Sequence, residues 1–335
     1  MRLHFLAGLI LPLAGYVTQA CGADSSDRPP AVDLSRPADA SAPPPGRIDR
    51  WHDSLYLKVQ DWAQALDHKF AKDGEAPEQT PPTPFRISTD GEVIQHSEGG
   101  TDFNARIDVD ILLQLPNLEK RLKLFVTSDS VQEAPSLVGR DDGRVRAGLR
   151  LTQAQYFDFD IGARLDVPPV AFTSVRWQRQ LEAGGWEIEP FAKVYLETKD
   201  GFGAATGITF DHWTNRWLLR SSSYANWVKD DAATEWTQTF LVAHAREILR
   251  FGRYGTIVRG NDLVRAYGVQ ALISGDRTSK VDEYELSVFA KMPTARNWLY
   301  WRVAPMVRWE RDYGWHADPG IRAGVDILFW DVSSR

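Results

Sequence analysis

A single cysteine in 335 residues, Cys21, rules out an intramolecular disulfide, so the chain is not a disulfide-stapled scaffold. After the first twenty residues no stretch has the roughly 18 consecutive apolar residues that a transmembrane helix needs. Helical spans are thereby excluded. A basic excess is missing as well: 39 Lys and Arg stand against 45 Asp and Glu, and the net charge of −6 offers no electrostatic footprint for nucleic acid.

Tryptophan, by contrast, is plentiful. Thirteen residues of it suit either a carbohydrate-binding surface or interfacial aromatic girdles in a membrane. The length would serve two average soluble domains or one large all-β domain, and local patterns have to decide.

The first residues, MRLHFLAGLILPLAGYVTQAC, place Arg2 before an apolar run from Phe5 to Gly15 and a small residue, Ala20, before Cys21. That is the layout of a secretory signal peptide, over 1–20, and implies export. Cys21 immediately after it resembles the lipid-modified cysteine of bacterial lipoproteins, which makes it the lipidation candidate. Thr18-Gln19-Ala20 departs from the usual Leu, Ala or Ser, Gly or Ala box, and cleavage that leaves a free thiol is the alternative.

Residues 21–46 are rich in Pro, Ala, Ser and Asp and cannot bury a core, which reads as a disordered linker. Over 47–74, Trp51, Leu55, Val59, Trp62, Leu66 and Phe70 recur at spacings of three and four, the mark of an amphipathic helix. Its two tryptophans need a partner surface: a barrel lumen, a barrel rim, another copy of the chain or a periplasmic protein. The breaker EAPEQTPPTP then separates it from 75–335.

From Phe103 the period changes from 3.6 to 2. In TDFNARIDVDILLQLP, Phe103, Ala105, Ile107, Val109 and Ile111 alternate with Asp102, Asn104, Arg106, Asp108 and Asp110. The same device recurs in RLKLFVTSD, RVRAGLRLT and YFDFDIGARLDV, and further segments follow near 171–181, 186–197, 203–211, 216–227, 235–244, 263–274, 282–292, 298–310 and 319–330. Soluble strands average about 5 to 6 residues, whereas a tilted membrane-crossing strand needs about 9 to 11. These are the longer kind.

Lipid offers no hydrogen-bond partner to a sheet edge, so such strands have to close. The fold expected is all-β, an antiparallel transmembrane β-barrel of about 12–14 strands with an N-terminal amphipathic helix. Trp186, Trp213, Trp217, Trp227, Trp236, Trp298, Trp301, Trp309 and Trp330 fall mostly near segment ends, where interfacial belts would place them. The last segment, GIRAGVDILFW, resembles the C-terminal signal of bacterial outer-membrane β-barrels, although DVSSR follows its aromatic end. The resemblance implies a Gram-negative outer-membrane location with outer-membrane lipid as a partner.

On this reading Arg106, Asp108, Asp110, Arg121, Lys123, Arg144, Arg146, Arg150, Asp158, Asp160 and Arg164 line the lumen. Their signs nearly balance, which suits cross-strand ion pairs in a small bore rather than a selectivity ring of one sign. A narrow or plugged channel for small polar solutes is the leading functional expectation. An embedded hydrolase drawing on His212, Asn215, Ser221, Ser223 and His244 is one alternative, and an assembly scaffold acting through Trp51 and Trp62 is another.

One detail conflicts with the model. SDSVQEAPSLVGRDDG joins the second and third alternating segments, and with periplasmic termini it falls on the side where turns are short, unless FRISTDGEVIQH is a strand too. GFGAATG (201–207) has the glycine spacing of a nucleotide-binding loop but runs into ITFDHW, which alternates as a strand. The pairs Asp108 with Asp110 and Asp158 with Asp160 could hold a hard cation, but lumen arginines are simpler partners. No cofactor is expected.

Overall fold

The structure, a computed structural model, describes residues 46–69, 83–114, 122–127, 145–154, 156–229, 234–248, 263–276 and 280–329. The signal peptide, Cys21, the linker, Phe70, Arg121, Arg144 and Trp330 lie outside them. One helix, α1 (Arg47–His68), precedes β1 (Phe85–Gln95), β2 (Thr101–Gln114), β3 (Leu122–Thr127), β4 (Arg146–Ala154), β5 (Phe157–Arg164), β6 (Val170–Gln178) and β7 (Leu181–Ala183). Then come β8 (Trp186–Glu197), β9 (Gly201–Thr214), β10 (Trp217–Val228), β11 (Thr234–Ile248), β12 (Leu263–Asp276), β13 (Glu283–Pro293), β14 (Leu299–Glu310) and β15 (Asp318–Phe329).

Each strand pairs antiparallel with its neighbours, and the ring closes where β1 meets β15, from Phe85 opposite Phe329 to Ile94 opposite Gly320. β6 and the three-residue β7 share one position, both pairing with β8, so the barrel wall counts fourteen strands. Every strand of the ring pairs on both sides, β2 with β3 over Asp110–Gln114 among the described residues, which is the closure a bilayer core demands. Short reversals are made by residues that tolerate positive φ: Gly184 and Gly185 at +58° and +79°, and Asn215 and Arg216 at +48° and +69°.

The segment FRISTDGEVIQH does supply a strand, β1. Its addition shifts the sense of every later strand, so residues 128–145 connect β3 to β4 at the end away from α1, and the conflict over the long connection disappears.

Alternation sorts the side chains. Phe103 and Ile107 are 72% and 61% exposed on the outside of β2, and Val194, Leu196, Leu219, Phe240, Val242, Val269, Leu286, Val288 and Ile321 are exposed on the outside of their strands. Apolar side chains spread around the whole outside of a closed barrel, with charges inside, form a surface solvated by lipid. At the α1 end Trp186, Trp217, Tyr267 and Trp301 stand on the outer face, and Trp227 stands at the other end. Two tryptophans do not follow the belt pattern. Trp213 points inward and is buried with Leu218, Leu241 and Phe289, while Trp298 is buried under α1, stacked on His52 at 4.2 Å.

The helix does not enter the bore. It packs against Phe85, Ile111, Leu113, Leu124 and Phe329, all outward positions by register, so it flanks the barrel wall rather than plugging it. The buried face is rotated from the expected stripe: His52, Tyr56, Gln60, Ala63 and Asp67 are buried, Leu55, Val59 and Leu66 of the stripe pack beside them partly buried, and Trp51 and Trp62 stay half exposed.

Candidate functional site

The interior is a set of ion-paired rows, most complete on the wall from β13 to β2. On β1 the inward residues are Arg86, Ser88, Asp90 and Glu92, and register sets Glu92 opposite Arg322 and Asp90 opposite Gly324. Nearest α1, Lys291 contacts Asp326 and Arg86 reaches Asp110 at 3.4 Å. In the next row Arg302 donates to Asp90, and Arg106 lies 3.5 Å from Asp90 and 3.3 Å from Asp108.

Arg302 on β14 can reach β1 because the intervening β15 carries glycine there. A Cβ on Gly324 would stand 2.2 Å from Asp90 Oδ1. In the third row Arg308 donates to Glu92 (3.0 Å) and Glu285 (2.9 Å), and Arg322 donates to Glu92 (2.7 Å) and Glu285 (3.3 Å).

The facing wall repeats the device. Arg150 pairs with Asp160, Arg164 donates to Glu197 (2.6 Å), Asp200 (2.9 Å) and Asp166 (3.1 Å), and Arg146 lies 3.6 Å from Glu197. Arg220 makes two parallel bonds to Asp211, each 2.6 Å. Asp211, Arg220 and Lys291 have no exposed surface, and most other inward charges are buried. Pairing is what makes this tolerable, since an isolated buried charge costs several kcal/mol.

Of the lumen candidates read from sequence, Arg106, Asp108, Asp110, Arg146, Arg150, Asp158, Asp160 and Arg164 occupy inward positions, with Asp158 opposite Arg176. Lys123 lies on β3 opposite Arg150. The sequence reading left out the densest wall, Arg86, Asp90, Glu92, Lys291, Arg302, Arg308, Arg322 and Asp326. The alternation of YWRVAPMVRWE could have named Arg302 and Arg308, but their partners appear only once the register is known.

At the rim away from α1, just after β1, His96 closes the same wall. Asp318 Oδ2 and Asp102 Oδ2 lie 2.9 Å and 3.0 Å from its two ring nitrogens, and Tyr313 stacks on the ring at 4.0 Å. Two carboxylate acceptors require both nitrogens to donate, which only the imidazolium can do. Bonding to Asp318, and secondly to Asp102, raises the His96 pKa above its ordinary value. The stabilisation is therefore complete below about pH 6.5 and is lost as pH rises through the raised value. Titration of the His96 ring resonances should give a midpoint above 6.5 that falls in Asp318→Asn, and a midpoint at or below 6.5 would refute the clamp.

The hydrolase candidates do not assemble. His212 and His244 lie on the outer face, His212 bonded to Gly185 O and Thr214 and His244 stacked on Tyr267, whereas Ser221 and Ser223 hydrogen-bond Gln238. The Ser97 hydroxyl lies 2.8 Å from Asp318 Oδ1 and 3.0 Å from Ala317 O, so its one proton goes to an acceptor there, while both His96 nitrogens are taken up by carboxylates. GFGAATG is the first half of β9, where the rings of Tyr195 and Phe191 pack over Gly203 and Gly207. Among the described residues no group of three or more His, Cys, Asp or Glu is placed to hold a metal ion.

No family model and no curated protein matches the chain. Among solved structures it is similar to a loop-deletion form of OmpT, an outer membrane protein of Vibrio cholerae, at 7% identity, 74% coverage of this chain, 98% of that one and a TM-score of 0.42. OprB of Pseudomonas putida is similar at 10% identity, 74% and 94% coverage and a TM-score of 0.42. OccK2 of Pseudomonas aeruginosa follows at 8% identity, 74% and 97% coverage and 0.41.

Proposed function

We propose that this outer-membrane β-barrel is a narrow channel for small polar solutes, with weak preference between anions and cations. The observation that carries the reading is the buried, paired state of inward charges of both signs around the wall. A wide aqueous pore would leave such side chains hydrated and exposed, and a selective one would array a single sign. Here a polar solute would exchange hydrogen bonds with Arg302, Arg308 and Arg322 and their carboxylates, so passage is slow and restricted to small molecules.

Planar-bilayer recording tests this. The protein should show small single-channel currents with near-equal cation and anion permeability, and Arg308→Ser with Arg322→Ser, which opens the third row, should raise the current. Silence from both proteins, each folded by its heat-modifiable gel migration, would defeat the proposal.

A further inference from the structure

The helix touches successive strands with successive turns. Asp49 meets Arg296 in the turn between β13 and β14 (2.7 Å), His52 meets Phe329 on β15, Tyr56 meets Phe85 on β1, and Ala63 and Leu66 pack with Leu113 on β2 and Leu124 on β3. An axis that crosses strand after strand at their ends lies along the rim, in the plane of the membrane. At about 1.5 Å per residue, 22 residues extend roughly 33 Å, enough to cross several strands.

Because the strand side chains it packs on, Phe85, Leu113, Leu124 and Phe329, are outward ones, α1 occupies the space that the outermost shell of lipid would otherwise fill. Its wall-facing side is settled by His52, Tyr56, Gln60, Ala63 and Asp67. A second face remains apolar and open: Ile48, Trp51 and Trp62 are 54%, 51% and 49% exposed. This face adjoins the barrel wall through Trp51, whose ring meets the outward Phe329 edge-on at 6.3 Å. Beside it, exposed Arg47, Lys58 and Lys69 recur every eleven residues, about three turns, in step with Trp51 and Trp62 four residues further on. Several acidic residues of α1 are engaged elsewhere, Asp49 by Arg296, Asp53 by His52 and Asp67 by burial.

We infer that α1 is an interfacial membrane helix, seated on the leaflet at the barrel's N-terminal rim, with Trp51 and Trp62 among the lipid headgroups and Arg47, Lys58 and Lys69 against anionic phospholipid. Tryptophan prefers this depth because its ring is apolar and its N–H is not, and basic side chains beside it gain from the negative surface potential. Continuity with the lipid-facing wall favours lipid over a second copy or a periplasmic protein as the occupant. The inference depends on the barrel's place in the membrane and is independent of channel activity.

The test uses the full chain folded into vesicles of phosphatidylcholine, with or without phosphatidylglycerol, and the variant Trp51→Phe with Trp62→Phe. The difference between the two emission spectra reports these tryptophans alone. It should be blue-shifted and quenched by phospholipid brominated near the headgroup, more than by lipid brominated near the chain end. Quenching should be stronger with phosphatidylglycerol present, and Arg47→Gln with Lys58→Gln and Lys69→Gln, which leaves every tryptophan in place, should remove that preference. A water-like difference spectrum unaffected by brominated lipid would overturn the inference, as would protection of Trp51 and Trp62 that appears only on concentration-dependent self-association.

Discussion

Asp326→Ala should cost about 3–5 kcal/mol of barrel stability, because it strips the counter-ion from a fully buried ammonium. The Lys291 side chain has no exposed surface and contacts Asp326, which is itself 2% exposed. Arg302 and Arg86 stand close enough to act on Lys291 electrostatically, so the vacated site would hold cations facing cations. Replacing both partners by apolar residues of similar volume, Lys291→Met with Asp326→Leu, should come within about 1 kcal/mol of the starting protein, since a buried pair contributes little net stability over an apolar isostere. The readout is the urea midpoint for loss of the fast-migrating, unboiled band. If Asp326→Ala unfolds at the same urea concentration as the parent, the interior is hydrated and the paired-wall account is wrong.

The contrast between single and double replacement also explains how much of this wall was legible beforehand. The alternation in β2 and β5 is read directly from sequence, because an apolar residue at every second position leaves the charges only one direction to point. β1 lacked that signature: its outward residues include Thr89, Gly91 and Gln95, and the apolar half of the pattern fails where it is needed. The parity of the long 128–145 connection was the better evidence for it. Pairs such as Arg302 with Asp90 skip over a glycine on the strand between them, so they follow from register and from the space at Gly324, neither of which a one-dimensional pattern contains. The helix follows from its period, and Leu55, Val59 and Leu66 of its apolar stripe do pack on the wall. Hydrophobic spacing does not set apart Trp51 and Trp62, which stay half exposed, nor select His52 and Gln60, polar residues with particular partners on the rim, Gln60 bonding Thr83 through both its amide atoms.

His52→Ala should therefore release α1 while leaving the barrel closed. The imidazole is sandwiched between Trp298 at 4.2 Å and Phe329 at 4.6 Å, and its Nε2 donates to Leu328 O at 2.9 Å. Stacked aromatic contacts contribute about 0.5–1.5 kcal/mol each and a hydrogen bond of this kind about as much, so the loss should be about 2–4 kcal/mol of docking free energy. Fourteen strands in a closed ladder do not depend on it. Hydrogen exchange of residues 47–68 in detergent micelles should accelerate steeply in His52→Ala, with strand amides and heat-modifiable migration unchanged. Arg296→Ala is the instructive comparison: its pair with Asp49 is partly solvated and should be worth only about 0.2–1 kcal/mol. In vesicles the same His52→Ala helix should exchange more slowly than in micelles, because the face bearing Trp51 and Trp62 is a separate contact that the substitution leaves intact. Equal exchange rates for parent and His52→Ala in micelles would mean that the stack does not hold the helix, and the rim would then need another anchor.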